Sequence, residues 1–469
     1  MQALATLTNI AIVEGKGPGW TLVRVFEVLD RAGIRYCVLH GYQGFPHKLG
    51  SDVDIIIEPS FPATELYDLL HRNSLHIGAE MVICRGYYIV LAGKHSDGSH
   101  FLLTLDFSPN CELEGVPLYD GKEVLANRQR HTTFWIPSVG VEFGYYLAKS
   151  VVKGTLDDAR TALLSGLYQL DAAACIEQVT RFWSPSNAHV IVAAARSGDW
   201  RVVLQKRGAL RKELRAQAIR RRPGQFIANK FHAFVRRFES ARRPNGLNIA
   251  FLGPDGAGKS SVIDAVGPRL LGAFARTACS GFAPPLRRLL RRGARRTDQP
   301  HALPSRSVLT SLLRAGYWLV YYTAGHLPLR WAVARSTLVL NDRHFVDILV
   351  DTKRYRYGAP AGVLQLIWYV IPKPDMVILL DAPPEVLQSR KQEVPFDETV
   401  RQRNAYLALT QRLPNGYVVD AAQPRERVAT DVSNLVLQYL ATRLEHRLHL
   451  QKIDDTTNLL SSVKRTPER

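Results

Sequence analysis

Gly253-Pro254-Asp255-Gly256-Ala257-Gly258-Lys259-Ser260 is the stretch on which the reading of this chain turns. It satisfies G-x-x-x-x-G-K-[ST] at every fixed position. Its surroundings have the required character. Ile249–Leu252 leads in as a short apolar strand, and Ser261–Val266 leads out as a helix. Glycines let the backbone curl until successive N–H groups face phosphate oxygens, and the helix N-terminus adds its dipole. The predicted nucleotide-binding set is Gly253, Asp255, Gly256, Ala257, Gly258, Lys259, Ser260 and Ser261. In such a loop the lysine bridges the β- and γ-phosphates of ATP and the serine holds Mg²⁺. These are the expected roles of Lys259 and Ser260.

Outward from this loop, strands alternate with helical segments, which predicts a parallel α/β sheet. The strands are predicted at Asn248–Leu252, Leu338–Leu340, Met376–Leu380 and Gly416–Val419. Val308–Gly325 is apolar but broken by Arg314, so it reads as a buried helix and not as a membrane span.

Three further stretches sharpen the picture. Asp255 inside the loop resembles the loop of thymidylate kinases. Leu338-Val-Leu-Asn-Asp342-Arg343-His344 resembles their Asp-Arg-Tyr/His motif. Val377–Val386 followed by Arg390-Lys391 is similar to the strand that leads into their lid. Val419-Asp420-Ala-Ala-Gln423-Pro424 resembles their strand and loop beside the adenine. The resemblance covers roughly residues 247 to 441, in the family's order. It implies an ATP- and Mg²⁺-dependent phosphotransferase. Arg343 would contact the phosphate that accepts the γ-phosphoryl group, and Asp342 would lie near Mg²⁺. Arg390 and Lys391 would close over the phosphates, and Gln423 and Pro424 would flank the adenine. The sequence departs from the family in a long insertion before Asp342, and in Val350–Gly358, which is rich in positive charge. Arg354 and Arg356 are therefore expected to bind the acceptor together with Asp255 and Arg343. The acceptor is a nucleoside monophosphate, a phosphosugar or another phosphorylated small molecule.

The N-terminal region mixes helix and strand. Leu22, Val25, Phe26 and Leu29 recur at helical spacing. Strands are predicted at Tyr36–Leu39, Val53–Glu58, Tyr87–Leu91 and Phe101–Phe107. Residues two apart on a strand share a face, so Asp52 and Asp54 project together while Val53, Ile55 and Ile57 face a core. Such a carboxylate pair suits a divalent cation, with Asp106 as a third ligand. Gly41 followed about ten residues later by Ser51-Asp52-Val53-Asp54 resembles the nucleotidyltransferase superfamily that includes DNA polymerase beta. Tyr42 departs from its usual small residue. The resemblance implies a mixed sheet and a metal-assisted nucleotidyl transfer. Lys149 and Lys153, at i and i+4, read as a solvated helix face in preference to a pair facing nucleotide phosphates.

The whole is a multi-domain α/β and α+β chain. A nucleotidyltransferase-like domain is expected at 1–135, a helical middle and basic linker at 136–243, a thymidylate kinase-like P-loop domain at 244–445, and a flexible tail at 451–469. The net charge of +19 is concentrated. Fourteen Lys or Arg face only Glu213 and Glu239 between Arg201 and Gly246, and six Arg fall between Pro285 and His301. Basic stretches of this kind attract nucleic acid, an anionic membrane surface or phosphorylated substrates, or are simply solvated. The stripe Phe231, Phe234, Val235, Phe238 is expected to face a core. With no signal-like N-terminus and five scattered cysteines, a cytoplasmic location is expected. Two rival functions stay open: a nucleic-acid binder, and a regulatory protein whose heads bind nucleotide without turnover.

Overall fold

The computed structural model describes residues 17–42, 44–46, 49–50, 52–242, 244–280, 304–392 and 394–463. Ser51, the arginine-rich run within 285–301 and the end of the expected tail lie outside them in whole or in large part. The chain divides into two compact units, Met1–Arg236 with Leu440–Arg469, and Arg237–Tyr439. The α/β N-terminal region and the helical middle therefore belong to one unit.

The first unit opens with helix α1 (Pro18–Arg31), whose Leu22, Val25, Phe26 and Leu29 are all buried. A five-stranded mixed sheet follows, from β1 (Tyr36–His40), β2 (Val53–Ile57), β3 (Ala79–Arg85), β4 (Tyr88–Lys94) and β5 (His100–Ser108). Its order is β1-β2-β5-β4-β3, with β2 and β5 parallel and the other neighbours antiparallel. Strand β3 was not foreseen in the sequence. Between the strands lie α2 (Ala63–Arg72) and α3 (Ser74–Ile77). Period-two alternation splits the sheet into two faces. Tyr36, Val38, Val53, Ile55 and Ile57 pack in one core with α1, and Leu444 joins them. Cys37, Leu39 and Ile56 pack in the other.

That second core is built mainly from helices. After two small hairpins, β6 (Cys111–Leu113) with β7 (Val116–Tyr119) and β8 (Gln129–Arg130) with β9 (Trp135–Ile136), and helix α4 (Gly121–Ala126), come α5 (Val139–Lys153), α6 (Asp158–Leu170), α7 (Ala172–Phe182), α8 (Pro185–Ser197), α9 (Arg201–Gln205), α10 (Arg207–Arg221) and α11 (Pro223–Arg242). Phe143, Leu147 and Val151 of α5 insert among Leu164, Val179, Phe182, Ile191 and Leu210. On α11, Phe231 and Phe234 are exposed instead of facing a core.

The second unit holds an all-parallel sheet of β10 (Leu247–Leu252), β11 (Arg276–Ser280), β12 (Thr337–Asp342), β13 (Met376–Asp381) and β14 (Gly416–Asp420). The order β11-β12-β10-β13-β14 puts β10 at the centre, where the strand order reverses. Ligands of such sheets bind at the carboxyl ends beside that reversal. Every residue of β10 is buried, as expected for a strand covered on both faces. The helices are α12 (Lys259–Arg269), α13 (Val308–Ala334), α14 (Val346–Val350), α15 (Ala361–Val370), α16 (Pro384–Arg390), α17 (Phe396–Gln411) and the first part of α18 (Arg425–Val463), whose residues from Leu440 on belong to the first unit. Helix α18 continues through Val463, so most of the segment read as a loose tail is helical.

Helix α13 is not the buried helix that its composition suggested. Ala315, Trp318 and Tyr322 are covered, but Leu309, Leu313, Val320, Leu327 and Trp331 on the other side are 64–72% exposed. Apolar content does not say which face a helix presents to its own domain. Among the described residues no helix is long and apolar enough to cross a membrane.

Candidate functional site

In the second unit, the loop between β10 and α12 carries three glycines at φ 145°, 89° and 80°, at Gly253, Gly256 and Gly258. A Cβ on Gly253 would stand 2.7 Å from the Leu380 carbonyl oxygen, and one on Gly256 2.6 Å from that of Leu387, so both positions require glycine. The Lys259 ammonium is buried and donates to the Gly253 and Pro254 carbonyl oxygens at 2.7 and 3.0 Å. Burial, then the Arg343 cation, pull its pKa down to about 8. Ser260 Oγ donates to Asp342 Oδ2 at 2.6 Å. Asp342 Oδ1 is buried with no hydrogen-bond partner. A hydroxyl beside a carboxylate with an unused buried oxygen is a donor set that suits a hard divalent cation, which keeps waters and phosphate oxygens as its other ligands.

Arg343 follows Asp342 directly and has φ 81°. Its guanidinium donates to Asp255 Oδ1 at 2.5 Å, and that of Arg354 donates to Asp255 Oδ2. Two cations from different segments thus converge on one loop carboxylate. Arg356 goes elsewhere: its Nε donates to the Pro304 carbonyl oxygen at 2.9 Å. His344 is buried with Nδ1 unpartnered, and burial, then Lys373, pull its pKa down to about 3, so the ring is neutral.

Arg390 donates to the carbonyl oxygens of Ala421 and Ala422 at 2.8 and 3.3 Å. It ties α16 to the turn after β14. Gln423 in that turn donates to Asp420 Oδ2 at 3.3 Å, and Pro424 caps α18 through its carbonyl. The bidentate Arg403–Asp381 pair, both bonds 2.8 Å, was not singled out in the sequence. Nor were Asp347 and Asp351, whose burial gives them weight and which no spacing rule marks.

In the first unit, α5 completes a second polar cluster. Glu142, Tyr145, Tyr146 and Lys149 share a helix face. Tyr145 and Lys149 donate to Asp54 Oδ2 at 2.7 and 2.6 Å. Lys149 is 7% exposed, so it is not the solvated residue that its spacing suggested. His40 Nδ1 lies 2.7 Å from the Tyr146 hydroxyl, and Tyr42 donates to Glu142 at 2.6 Å. Gly41 has φ 95° and its Cα approaches the Asp52 carbonyl so closely that a Cβ would lie 2.4 Å away. Asp54 and Asp106 are register partners on β2 and β5. Enclosing protein, then the charges of Asp54 and Asp52, push the Asp106 pKa up to about 6, although the residue keeps an exposed surface that screens these effects. Among the described residues no group of three His, Cys, Asp or Glu side chains is placed to hold a metal ion. The Lys149 ammonium pairs with Asp54 at the place where the sequence expected a cation shared by Asp52, Asp54 and Asp106.

The raised Asp106 pKa has a testable sign. The folded chain binds this proton more tightly than the unfolded chain, so stability is lost as pH rises from about 4 to 6. Asp106→Asn is expected to raise the Tm at pH 7 by ~3 °C, or about 1 kcal/mol after allowing for solvent screening, and to leave it unchanged near pH 4. Thermal melts at the two pH values check this.

No protein-family model matches the chain. Part of it resembles thymidylate kinases. It is 29% identical to a "Probable thymidylate kinase" of Pyrobaculum aerophilum over 203 residues, 40% of this chain and 95% of that protein. It is 28% identical to the thymidylate kinase of Xanthomonas euvesicatoria over 233 residues, 47% of this chain and 96% of that protein. With the thymidylate kinase of Xanthomonas campestris the identity is 29% over 209 residues, 43% of this chain and 87% of that protein.

Proposed function

We propose that the second unit is a P-loop phosphotransferase of thymidylate kinase type, transferring the γ-phosphoryl group of ATP to the phosphate of a small-molecule acceptor. The observation that carries this reading is the convergence of Arg343 and Arg354 on the Asp255 carboxylate, in the same loop whose Gly253 and Pro254 carbonyls hold the Lys259 ammonium, next to the Ser260–Asp342 pair. Phosphoryl transfer asks for little covalent chemistry. It asks for two oxyanions held in line, with cations offsetting their repulsion.

Each residue has a defined task in this reading. The loop N–H groups and Lys259 hold the donor phosphates, the ammonium exchanging two carbonyls for phosphate oxygens. Ser260 and Asp342 would hold Mg²⁺, which when bound neutralises charge between the phosphates. Arg343 and Arg354 turn from Asp255 to the acceptor phosphate. Asp255 then faces the acceptor's remaining polar groups. Arg390 positions the turn carrying Gln423 and Pro424 against the adenine.

Thymidine monophosphate, other nucleoside monophosphates and phosphosugars form the test panel, with Mg-ATP as donor and product detected by phosphorus NMR. Phosphorylation of one acceptor is the expected result. ATP hydrolysis that no acceptor stimulates would refute the reading. Within it, Arg354→Ala is expected to raise the acceptor KM about 10-fold, whereas Arg356→Ala changes it less than about 2-fold. Steady-state kinetics with the best acceptor checks both values.

For the first unit we propose a nucleotidyltransferase-like site at Asp52, Asp54 and Asp106, completed by α5. The pairing of Asp54 with Asp106 across β2 and β5, and the approach of the Tyr145 hydroxyl and Lys149 ammonium to Asp54, support it. Mg²⁺ brought in with a nucleoside triphosphate would compete with Lys149 for Asp54. Radiolabel transfer from α-labelled nucleoside triphosphates, lost in Asp54→Asn, is the test.

A further inference from the structure

Asp347 and Asp351 were given no role by the motifs above, yet both are carboxylates buried beside the site, 0% and 3% exposed. They stand one helical turn apart, and each spends one oxygen on the backbone at an arginine. Asp347 Oδ2 accepts the His344 N–H at 2.7 Å, from the peptide that immediately follows Arg343. Asp351 Oδ1 accepts the N–H of Arg354 itself at 3.0 Å.

Their other oxygens are taken by a single helix. The Tyr406 hydroxyl donates to Asp347 Oδ1 at 2.8 Å, and Gln402 Nε2 donates to Asp351 Oδ2 at 3.1 Å. Gln402 and Tyr406 are four residues apart on α17, hence on one face, and are 4% and 2% exposed. The segment from Arg343 to Arg354 is thus pinned at both ends by the same two-part device. The need at Arg343 is plain, because an arginine at φ 81° holds that backbone only where its surroundings fix it.

We infer that Asp347 and Asp351, clamped by Tyr406 and Gln402, are positioning residues that seat Arg343 and Arg354 for an acceptor phosphate. None of the four needs to touch the acceptor. Their effect passes through the backbone of the two arginines, so it falls on acceptor binding and spares the ATP side of the site. The inference rests on the kinase reading for the identity of the anion, and its test does not require turnover.

Isothermal titration of the full chain decides it, using thymidine monophosphate as one probe and a non-hydrolysable ATP analogue with Mg²⁺ as the other. Tyr406→Phe and Asp347→Asn are expected to weaken thymidine monophosphate about 10-fold, and Gln402→Leu about 3-fold, while the ATP analogue stays within about 2-fold of wild type. Tyr406→Phe added to Arg343→Ala is expected to cost nothing further, since the residue being seated is gone. If Arg343→Ala weakens thymidine monophosphate but Tyr406→Phe does not, the inference fails. Equal weakening of both probes also sinks it, since that marks a general structural role. Should Asp347→Asn not fold, Tyr406→Phe decides, as it removes a single oxygen atom. If thymidine monophosphate binds but no acceptor of the panel is phosphorylated, the kinase reading ends and these ratios are left to judge the seating. If neither it nor inorganic phosphate binds the wild-type chain, the arginine pair is not a phosphate site and both ideas fall.

Discussion

Lys259→Met is expected to reduce phosphoryl transfer about 10³-fold while making the ligand-free chain more stable. The kinetic half follows from the place of the ammonium. In the proposed reading it is the loop cation that holds the donor phosphates, and losing one preorganised donor from such a site costs ~10²–10³-fold even when the donor is neutral. The stability half follows from its burial. The Lys259 pKa falls from 10.5 to about 8, so the folded chain holds this proton less tightly than the unfolded chain. The resulting penalty is complete below about pH 8 and disappears as pH rises through 10.5. It is at most about 3 kcal/mol. Methionine fills nearly the same volume without charge but leaves the Gly253 and Pro254 carbonyls unpaired, which returns about 1 kcal/mol each. The net rise is ~1 kcal/mol, seen as a Tm a few degrees higher at pH 7, and it reverses to a lower Tm near pH 10.5, where only the cost of the unpaired carbonyls remains. Calorimetry at both pH values, beside kcat with the best acceptor, checks both halves. A variant that lost both activity and stability would show Lys259 to be a structural lysine.

Arg343→Ala is expected to lower kcat/KM for the acceptor about 10³-fold and to leave ATP-analogue binding within about 2-fold. In the proposed reading the guanidinium is the acceptor-side cation closest in sequence to Asp342, and a charged bidentate contact to phosphate is the strongest hydrogen bond that the site would offer. Arg354 stays on Asp255 in this variant, so the pocket keeps one cation and residual activity survives. Arg343→Gly separates chemistry from folding. Glycine adopts φ 81° freely, and an L side chain pays ~1–2 kcal/mol there. The glycine variant is therefore expected to match the alanine variant kinetically and to melt a few degrees higher. Equal Tm values would mean that the turn carries no strain. An unchanged acceptor KM and kcat in either variant would remove Arg343 from the site.

Much of this molecule was legible before any fold was known. Local sequence carries local geometry: a loop that needs positive φ at Gly253, Gly256 and Gly258 has to be written in glycine, and a strand buried on both faces has to be written as an apolar run such as Leu247–Leu252. For that reason β1, β2, β4, β5, β10, β12, β13 and β14 were all anticipated to within a few residues. The alternation in β2 placed Asp54 opposite Val53 and Ile55 for the same reason.

Long-range pairing was not legible. The sequence marked Arg354 and Arg356 as equivalent cations two residues apart. Only the path of the chain sends one to Asp255 and the other to the Pro304 carbonyl. It marked Lys149 as solvent-facing, because helical spacing cannot report that α5 lies over Asp54. It gave α13 an apolar composition without saying which face the domain covers. Asp347 and Asp351 carried no signal at all, since a buried carboxylate differs from an exposed one only in neighbours, here Tyr406 and Gln402, more than fifty positions downstream. Backbone conformation is decided within a few residues and can be read from them. Which charges meet is decided by tertiary packing, which joins segments far apart in the chain, so only the folded structure determined it.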